Sequence, residues 1–250
     1  MSPNPALHHR LAALRAEVRA IESAGRGASG GECLAFGIES IDSRLAGGGL
    51  AAAALHEAAG DRPGLPDEAA ATLFLASLAA RREGIVLWAF ARRDLFAPGL
   101  QQAGLSPERL LYAECGRDEE VLAVMEEGLR HGGLAAVVGE AARVTMAATR
   151  RLQLAAEEGG VMALLLKRRR QAGEEPLGLP SAAVTRWRIA AAPSSPLPAA
   201  GVGRARWRLA LARQRGGEPH QWITEAADET GRLALPAGAE RRAGEEREAA

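Results

Sequence analysis

Short apolar runs alternate with amphipathic segments through the first two thirds of this 250-residue chain, and this alternation constrains the fold more than any other feature. The runs predict strands near residues 52–58, 85–90, 110–113, 134–138 and 161–166. The segments between them predict helices near 67–82, 118–130 and 144–158. Short, continuously apolar strands are typical of a parallel sheet covered on both faces. The pattern predicts an α/β fold with a doubly wound, mostly parallel sheet.

The last third of the chain has a different pattern, in which arginines alternate with apolar residues. At 185–190 and 204–212 the alternation predicts half-buried strands with Trp187 and Trp207 on the inner face. A hairpin is expected next, with the turn at 228–231. These antiparallel C-terminal strands would extend the parallel sheet.

Four regions follow from these patterns. Residues 1–30 hold an amphipathic helix at 6–23 and a glycine-rich hinge, and the helix either docks on a partner or folds back on its own domain. The main α/β core is expected at 31–192, a C-terminal β extension at 193–236, and a flexible tail at 237–250.

Composition narrows the classes of function. A formal net charge of zero argues against a uniformly basic DNA-coating protein, although 150–218 carries thirteen Lys or Arg against five Glu. Cys33 and Cys115 have no second ligand pattern, which fits reduced thiols better than a disulfide framework or a metal site. The sequence contains neither a membrane-length apolar stretch nor a signal-peptide core, so a cytoplasmic protein without a membrane partner is expected.

The segment at 56–84 has the order strand, glycine-containing loop and helix that is typical of a phosphate-binding P-loop. A working loop reads G-x-x-x-x-G-K-[ST], where the lysine contacts the β- and γ-phosphates and the hydroxyl holds magnesium. Gly60 and Gly64 are present, but the single lysine of the chain is Lys167. Pro63 and Pro66 also remove two backbone donors. Phosphoryl transfer is therefore not expected.

A family resemblance rests on the order of several segments: FGIESIDSRLAGGGLAAAALHEAAG, ARREG, IVLWAF, PGLQQAGLSPERLLYAE and LAAVVGEA. This order resembles the core of the RecA recombinase and, more closely, the ImuA family of divergent RecA-like proteins, which are encoded with a polymerase-like ImuB partner. The endings GVGRARWRLALARQRGGEP and WITEAADETGRLALP also resemble that family. The resemblance covers roughly residues 30–236 and implies a RecA-like fold.

The resemblance also implies that the catalytic groups of RecA are missing here. The P-loop lysine corresponds to Ala69 and the magnesium-binding hydroxyl to Ala70. The glutamate that activates water corresponds to Arg93, and the acid ending the second nucleotide-binding strand to Gly139, with Glu140 beside it. We therefore expect a protein that is not an enzyme and that requires no cofactor.

Nucleotide binding without hydrolysis stays open as the weaker alternative. Its ligand would be ATP, held at a degenerate site made of Gly60, Gly64, Thr72 and Glu140.

Two groups of cations are candidates for binding DNA or an acidic partner: the run Lys167, Arg168, Arg169 and Arg170, and the strand residues Arg206 and Arg208. In the RecA-like plan, Lys167 would occupy a nucleotide-sensing position and 167–180 would be a loop that touches single-stranded DNA. Phosphate contacts of this kind give salt-dependent affinity. The alternatives are a solvated loop and an exposed sheet face, although arginines directly opposite each other would destabilise a sheet.

The resemblance implies a non-catalytic accessory factor in the SOS response, acting in damage-induced mutagenic translesion synthesis. Its partners would be an ImuB-type polymerase-like protein and a DnaE-type error-prone polymerase, with RecA and single-stranded DNA as further candidates. Two other hypotheses remain: a RecA-type ATPase with a remodelled P-loop, and a SulA-like cell-division inhibitor of related fold.

Overall fold

The computed structural model describes residues 32–171, 173–194, 197 and 200–236. The predicted N-terminal helix and the predicted C-terminal tail lie outside these residues. The described strands are β1 (Cys33–Leu34), β2 (Leu50–Ala51), β3 (Leu55–Gly60), β4 (Val86–Phe90), β5 (Leu110–Glu114), β6 (Ala136–Ala141), β7 (Met162–Lys167), β8 (Thr185–Ala192), β9 (Arg206–Gln214) and β10 (His220–Glu225). The described α-helices are α1 (Glu39–Asp42), α2 (Leu65–Ala80), α3 (Ala97–Gln102), α4 (Asp118–His131) and α5 (Met146–Gly159).

Eight strands form one sheet in the order β10-β9-β8-β3-β7-β6-β4-β5. The pairs from β8 to β5 are parallel, whereas β9 pairs antiparallel with both β8 and β10. This confirms the predicted α/β fold, a mostly parallel sheet with antiparallel C-terminal strands, consistent with a RecA-like core. The short strands β1 and β2 form a separate two-stranded sheet.

One face of the large sheet is covered by α2, which is buried around most of its circumference. Phe74 of this helix packs against Phe36 and Trp187, with ring centroids 6.2 Å and 5.6 Å away. Trp207 of β9 belongs to the same core cluster, so both inward-facing tryptophans are confirmed. The last two strands therefore share the core of the parallel strands.

The other face of the sheet is covered by α4 and α5, which pack over β3, β4, β6 and β7. Both helices have the apolar stripe that the sequence pattern predicted, with Met125 and Leu152 completely enclosed. None of the described helices combines the length and apolar character that a bilayer crossing requires.

The predicted C-terminal hairpin forms with a well-ordered turn but little strand pairing. Asp228 Oδ1 accepts hydrogen bonds from the backbone N–H groups of Thr230 and Arg232. Beyond the turn, a single antiparallel bridge joins Glu225 to Ala234.

Candidate functional site

The expected nucleotide site lies at the carboxyl edge of the sheet, where residues 61–64 join β3 to α2. Its two glycines have structural reasons to be there. A Cβ on Gly60 would lie 3.0 Å from the backbone of Asp67 and Glu68, so glycine lets the helix abut the strand. Gly64 has a φ of +124°, which L side chains rarely adopt. The pair can therefore be explained without a nucleotide.

The first turn of α2 carries its own anion, the carboxylate of Asp67. Its Oδ2 accepts hydrogen bonds from the backbone N (3.0 Å) and Nε (2.9 Å) of Arg62. Its Oδ1 accepts one from the backbone N of Ala191 at 2.9 Å. Burial opposes ionisation, but the hydrogen bonds from Arg62 and Ala191 outweigh it and lower the pKa of Asp67. A helix N-terminus attracts anions, and here the anion belongs to the chain itself.

Counting the P-loop motif from Gly60 places its lysine and hydroxyl positions about one helical turn earlier in α2 than the resemblance did. Counted from Gly60, the lysine and hydroxyl positions of the motif fall on Pro66 and Asp67, in the first turn of α2. Ala69 and Ala70, to which the resemblance assigned these roles, lie in the second turn. The motif residues are absent by either count, and counting from Gly60 puts an acid where the hydroxyl would be.

A buried ionic cluster occupies the neighbouring strand ends. Arg168, directly after β7, donates from Nε to Glu140 Oε2 at 2.8 Å and from Nη2 to Asp94 Oδ1 at 2.9 Å. Its Nη1 lies 3.3 Å from Glu68 Oε2. The side chains of Arg168 and Glu140 are only 10% and 2% exposed. We call Arg168, Glu68, Asp94 and Glu140 the ionic cluster.

Both central groups of the ionic cluster have shifted pKa values. Burial raises the pKa of Glu140, with Arg168 and the Trp88 hydrogen bond (2.7 Å) opposing the shift. Burial alone would lower the pKa of Arg168, but the surrounding carboxylates raise it. Glu140, a predicted nucleotide-site residue, is thus engaged by protein groups.

The predicted row of four accessible cations is corrected by the structure. Lys167 is the last residue of β7 and is buried, and burial lowers its pKa although Glu57 opposes the shift. Arg168 is enclosed in the ionic cluster. Arg169 donates to the carbonyl oxygens of Gly60 and Asp61 at 3.1 Å and 3.3 Å. Of the four side chains, that of Arg170 is exposed to solvent. The run was misjudged because its charges meet acids from distant segments.

Little space is left at this edge. The cavity lined by Gly60, Glu68, Leu166, Lys167, Arg168, Arg169 and Pro176 has a volume of about 10 Å³. That is at most about the room that one water requires. Thr72 points its hydroxyl at the carbonyl of Glu68 within the helix, at 3.0 Å. A nucleotide could enter only if these groups moved.

The two positions expected to have lost catalytic acids have other roles. A Cβ on Gly139 would lie 2.1 Å from the sulfur of Met125, so glycine lets α4 approach β6. Arg93 is exposed and pairs with Glu114 at 2.6 Å. Within the described ranges, no group of three or more His, Cys, Asp or Glu residues could hold a metal ion.

Arg206 and Arg208 lie on one face of β9, opposite Ala192 and Ala190 of β8. At these two positions the register avoids the like-charge opposition that the sequence pattern raised, whereas Arg186 lies opposite Arg213. Arg208 pairs with Asp61 at 2.6 Å and so ties the loop after β3 to β9. The Nε of Arg206 is buried without a hydrogen-bond partner in the described part of the chain.

Sequence reasoning missed two acids that organise this edge. For Asp67 the sequence did offer a signal, because an acid in the first turn of a predicted helix, close to Arg62, is favoured at a helix N-terminus. Glu57 is completely buried, bonded to Arg186 Nε at 2.7 Å and to the Ser181 hydroxyl at 2.6 Å. Strand alternation predicted Arg186 on the arginine face but gave no sign of this partner.

Comparison with known proteins shows similarity to curated relatives and to a solved structure. No protein-family model matches the chain. Protein ImuA from two strains of Caulobacter vibrioides is 41% identical over 204 residues, covering 78% of this chain and 84% of the relative. The crystal structure of SulA from Pseudomonas aeruginosa aligns with 27% identity and a TM-score of 0.37, over 45% of this chain and 96% of that one.

Proposed function

This chain belongs to the ImuA family, and we propose that it acts without catalysis, as an assembly factor in damage-induced mutagenic DNA synthesis. Family membership supports a role in the mutagenesis system of ImuA and ImuB. The observation that carries the non-catalytic part is the position of the Asp67 carboxylate. It lies in the first turn of α2 and accepts hydrogen bonds from the backbone N–H of Arg62, in the loop where a P-loop would hold phosphate, and of Ala191 in β8.

Nucleotide binding would have to displace interactions that the chain already makes. A bound triphosphate needs backbone donors, a lysine and a magnesium-binding hydroxyl. Here the amides of Arg62 and Ala191 are engaged, and Pro66 has no N–H. The buried Arg168 is already paired with Glu68, Asp94 and Glu140, so it is not available to a phosphate. A surface stabilised in this way keeps its shape without turnover, which suits an assembly role.

The proposed assembly links an ImuB-type protein and a DnaE-type error-prone polymerase to damaged DNA, in the cytoplasm and during the SOS response. RecA and single-stranded DNA are further proposed contacts. Of the predicted cationic residues, Arg170 and Arg206 are the candidates for phosphates or an acidic partner, because neither forms an ion pair with a described carboxylate or is fully buried. Arg169, by contrast, is bonded to the carbonyl oxygens of Gly60 and Asp61. Lys167 and Arg168 would become accessible only if the carboxyl edge opened.

The first experiment measures magnesium-dependent ATP binding and turnover by the purified chain. The expected result is no turnover beyond that of the Arg62→Ala variant, because Arg62 is an arginine within the loop itself, four residues before the lysine position at Pro66. Turnover that is lost in Arg62→Ala would overturn the proposal and support the ATPase with a remodelled loop. A contaminating ATPase would be equally active in both preparations.

The second experiment tests the biological role in cells that lack the corresponding gene. The chain should restore damage-induced mutation and should co-purify with an ImuB-type or a DnaE-type protein. Restored division arrest, with recovery of a tubulin-like division protein instead, would favour the SulA-like alternative. Arg143→Ala, a substitution at an exposed arginine outside the ionic cluster and outside the loop of residues 61–64, serves as the matched control.

A further inference from the structure

In the described part of the chain, three strands at one end of the sheet have a helix packed on only one face. Here α2 packs on the side of β8 that carries Trp187. On the opposite side, no described helix continues the layer of α4 and α5 over β8, β9 and β10. We call this surface the open face. The nine residues of β9 span about 30 Å, and three strands span about 10 Å, which are the dimensions of one α-helix of about 20 residues.

The open face has an apolar floor of alanines between arginines, of which Ala192 and Ala210 are half-buried and Ala190 is only 2% exposed. Ala190 and Ala192 of β8 lie opposite Arg208 and Arg206, and Ala210 of β9 lies opposite Arg188. Two adjoining grooves run along it. One groove of about 650 Å³ extends from β8 to the start of β10, and one of about 350 Å³ separates β9 from α5. Both are lined by Arg213, so they adjoin each other at this residue.

The rim contributed by α5 is amphipathic. Met146, Arg150 and Leu154 recur at helical spacing and line the smaller groove. Met146 and Leu154 are 47% and 49% exposed. Ile223 of β10 adds a further exposed apolar side chain on the arginine side of the sheet. Exposed apolar groups that rim a depression are typical of an interaction surface.

Charge on the open face is not balanced internally. Arg150, Arg206 and Arg213 form no ion pair with any carboxylate that the structure describes, and Arg213 donates instead to the Ser181 carbonyl at 3.2 Å. The nearby acids are already engaged: Glu57 with Arg186, Glu175 with Arg188, Asp61 with Arg208, and Glu157 with Gln153. The surface therefore carries excess positive charge.

Unsatisfied donors lie on the same surface. Four buried side-chain polar atoms lack a hydrogen-bond partner among the described residues, and two of them are the Nε atoms of Arg188 and Arg206. Buried donors are normally satisfied. Because the chain itself covers both Nε atoms, an acceptor from a partner would reach them only after these arginine side chains moved.

We infer that the open face docks an acidic, amphipathic helix of a partner protein. Its apolar side would cover the alanine floor, Met146 and Leu154, while its carboxylates pair with Arg150, Arg206 and Arg213. A polypeptide fits better than nucleic acid because no Phe, Tyr or Trp lines the two grooves to stack a base. The inference deepens the proposed function and rests on it only for the partner's identity.

The test uses the full chain and a fluorescent, designed helical peptide of about 20 residues, with leucines on one side and glutamates on the other. Its matched control carries lysine in place of every glutamate. Fluorescence anisotropy should show that the acidic peptide binds roughly tenfold or more tightly than the basic one. Arg150→Glu and Leu154→Gln should each weaken binding of the acidic peptide by roughly tenfold or more.

Matched control substitutions keep the result interpretable. Arg143→Glu and Leu111→Gln change an exposed arginine and an exposed leucine outside both grooves, and should alter affinity less than about twofold. Circular dichroism of every variant checks the fold. If Arg150→Glu does not fold, Arg150→Ala replaces it, with the same direction of effect.

Several outcomes would overturn the docking inference. Equal affinity of Arg150→Glu and the wild type for the acidic peptide would show that the open face does not bind it. Displacement of the peptide by a single-stranded oligonucleotide at lower concentration would assign the face to nucleic acid. Tighter peptide binding after deletion of residues 1–30 would assign it to the chain's own N-terminal segment. Dimerisation lost in Arg150→Glu would assign it to a second copy. ATP turnover would count against the proposed function alone.

Discussion

The ionic cluster and the open face are both rich in arginine, but their arginines have different surroundings. Arg168 is enclosed by carboxylates from three other segments, and its side chain is 10% exposed. Arg150 and Arg206 have no described carboxylate partner and lie beside open grooves or alanines. The cluster lies where the fold would place a nucleotide, whereas the open face lies where no described helix continues the layer of α4 and α5.

This difference shows that the location of a familiar motif and the location of an available site need not coincide. A buried charge is stable only with partners, so the cluster's groups serve the fold. An unpaired surface arginine contributes little to stability and remains available for binding. The surfaces available for recognition are therefore those whose donors are still unsatisfied.

The largest expected effect is on the ionic cluster. Arg168→Met should lower the free energy of unfolding by about 3–5 kcal/mol, because it leaves the buried Glu140 without its counter-ion. Urea denaturation at pH 7.5 measures it. Arg170→Met, a change at the exposed neighbour, should stay within about 0.5 kcal/mol. Equal effects of the two substitutions would contradict the distinction between the regions.

Acid should destabilise the covered part of the sheet through His56. Burial lowers the pKa of this histidine to about 4, and its bond to the Ala51 carbonyl opposes the shift. The unfolded chain has an ordinary pKa of about 6.5, so it takes up the proton first as the pH falls. The stability contributed by neutral His56 is complete above about pH 6.5 and is lost towards pH 4, in total on the order of 3 kcal/mol.

Unfolding free energies at pH 7 and pH 4.5 test this contribution. His56→Gln should lose that part of the pH dependence, whereas His220→Gln, at an exposed histidine of β10, should keep it. Identical pH profiles for His56→Gln and the wild type would show that another group is responsible.

Removal of the anion at the start of α2 should have an intermediate effect. Asp67→Ala should destabilise the chain by about 1–2 kcal/mol, because the amides of Arg62 and Ala191 lose their acceptor. Thermal unfolding measures the change. Asp67→Asn keeps one carbonyl acceptor and should lose less. If Asp67→Ala were as stable as the wild type, the carboxylate would not be stabilising the loop between β3 and α2.

The smallest effect is expected on the open face. Arg206→Ala removes a guanidinium whose Nε has no described acceptor, so stability should change by less than about 0.5 kcal/mol. Chemical denaturation of Arg206→Ala and Arg168→Met under the same conditions compares their free energies of unfolding directly. A loss as large as that at Arg168 would indicate that Arg206 has a structural partner.

Much of the fold follows from local pattern. Apolar runs located the strands to within a few residues, and alternation oriented Trp187 and Trp207 correctly. The short elements β1, β2, α1 and α3 were missed because two to six residues are too few to show a period. The carboxyl edge was found through Gly60 and Gly64, although both glycines are explained by packing and backbone conformation.

The sequence by itself determined that this chain builds an α/β sheet with a P-loop position that lacks its lysine, because periodicity and residue identity are local properties. Only the tertiary structure decided which charges are available. Arg168 meets Glu140, Asp94 and Glu68, which are 28, 74 and 100 residues away along the chain. Burial and pairing arise when distant strand ends meet, and no local pattern of charges records that meeting.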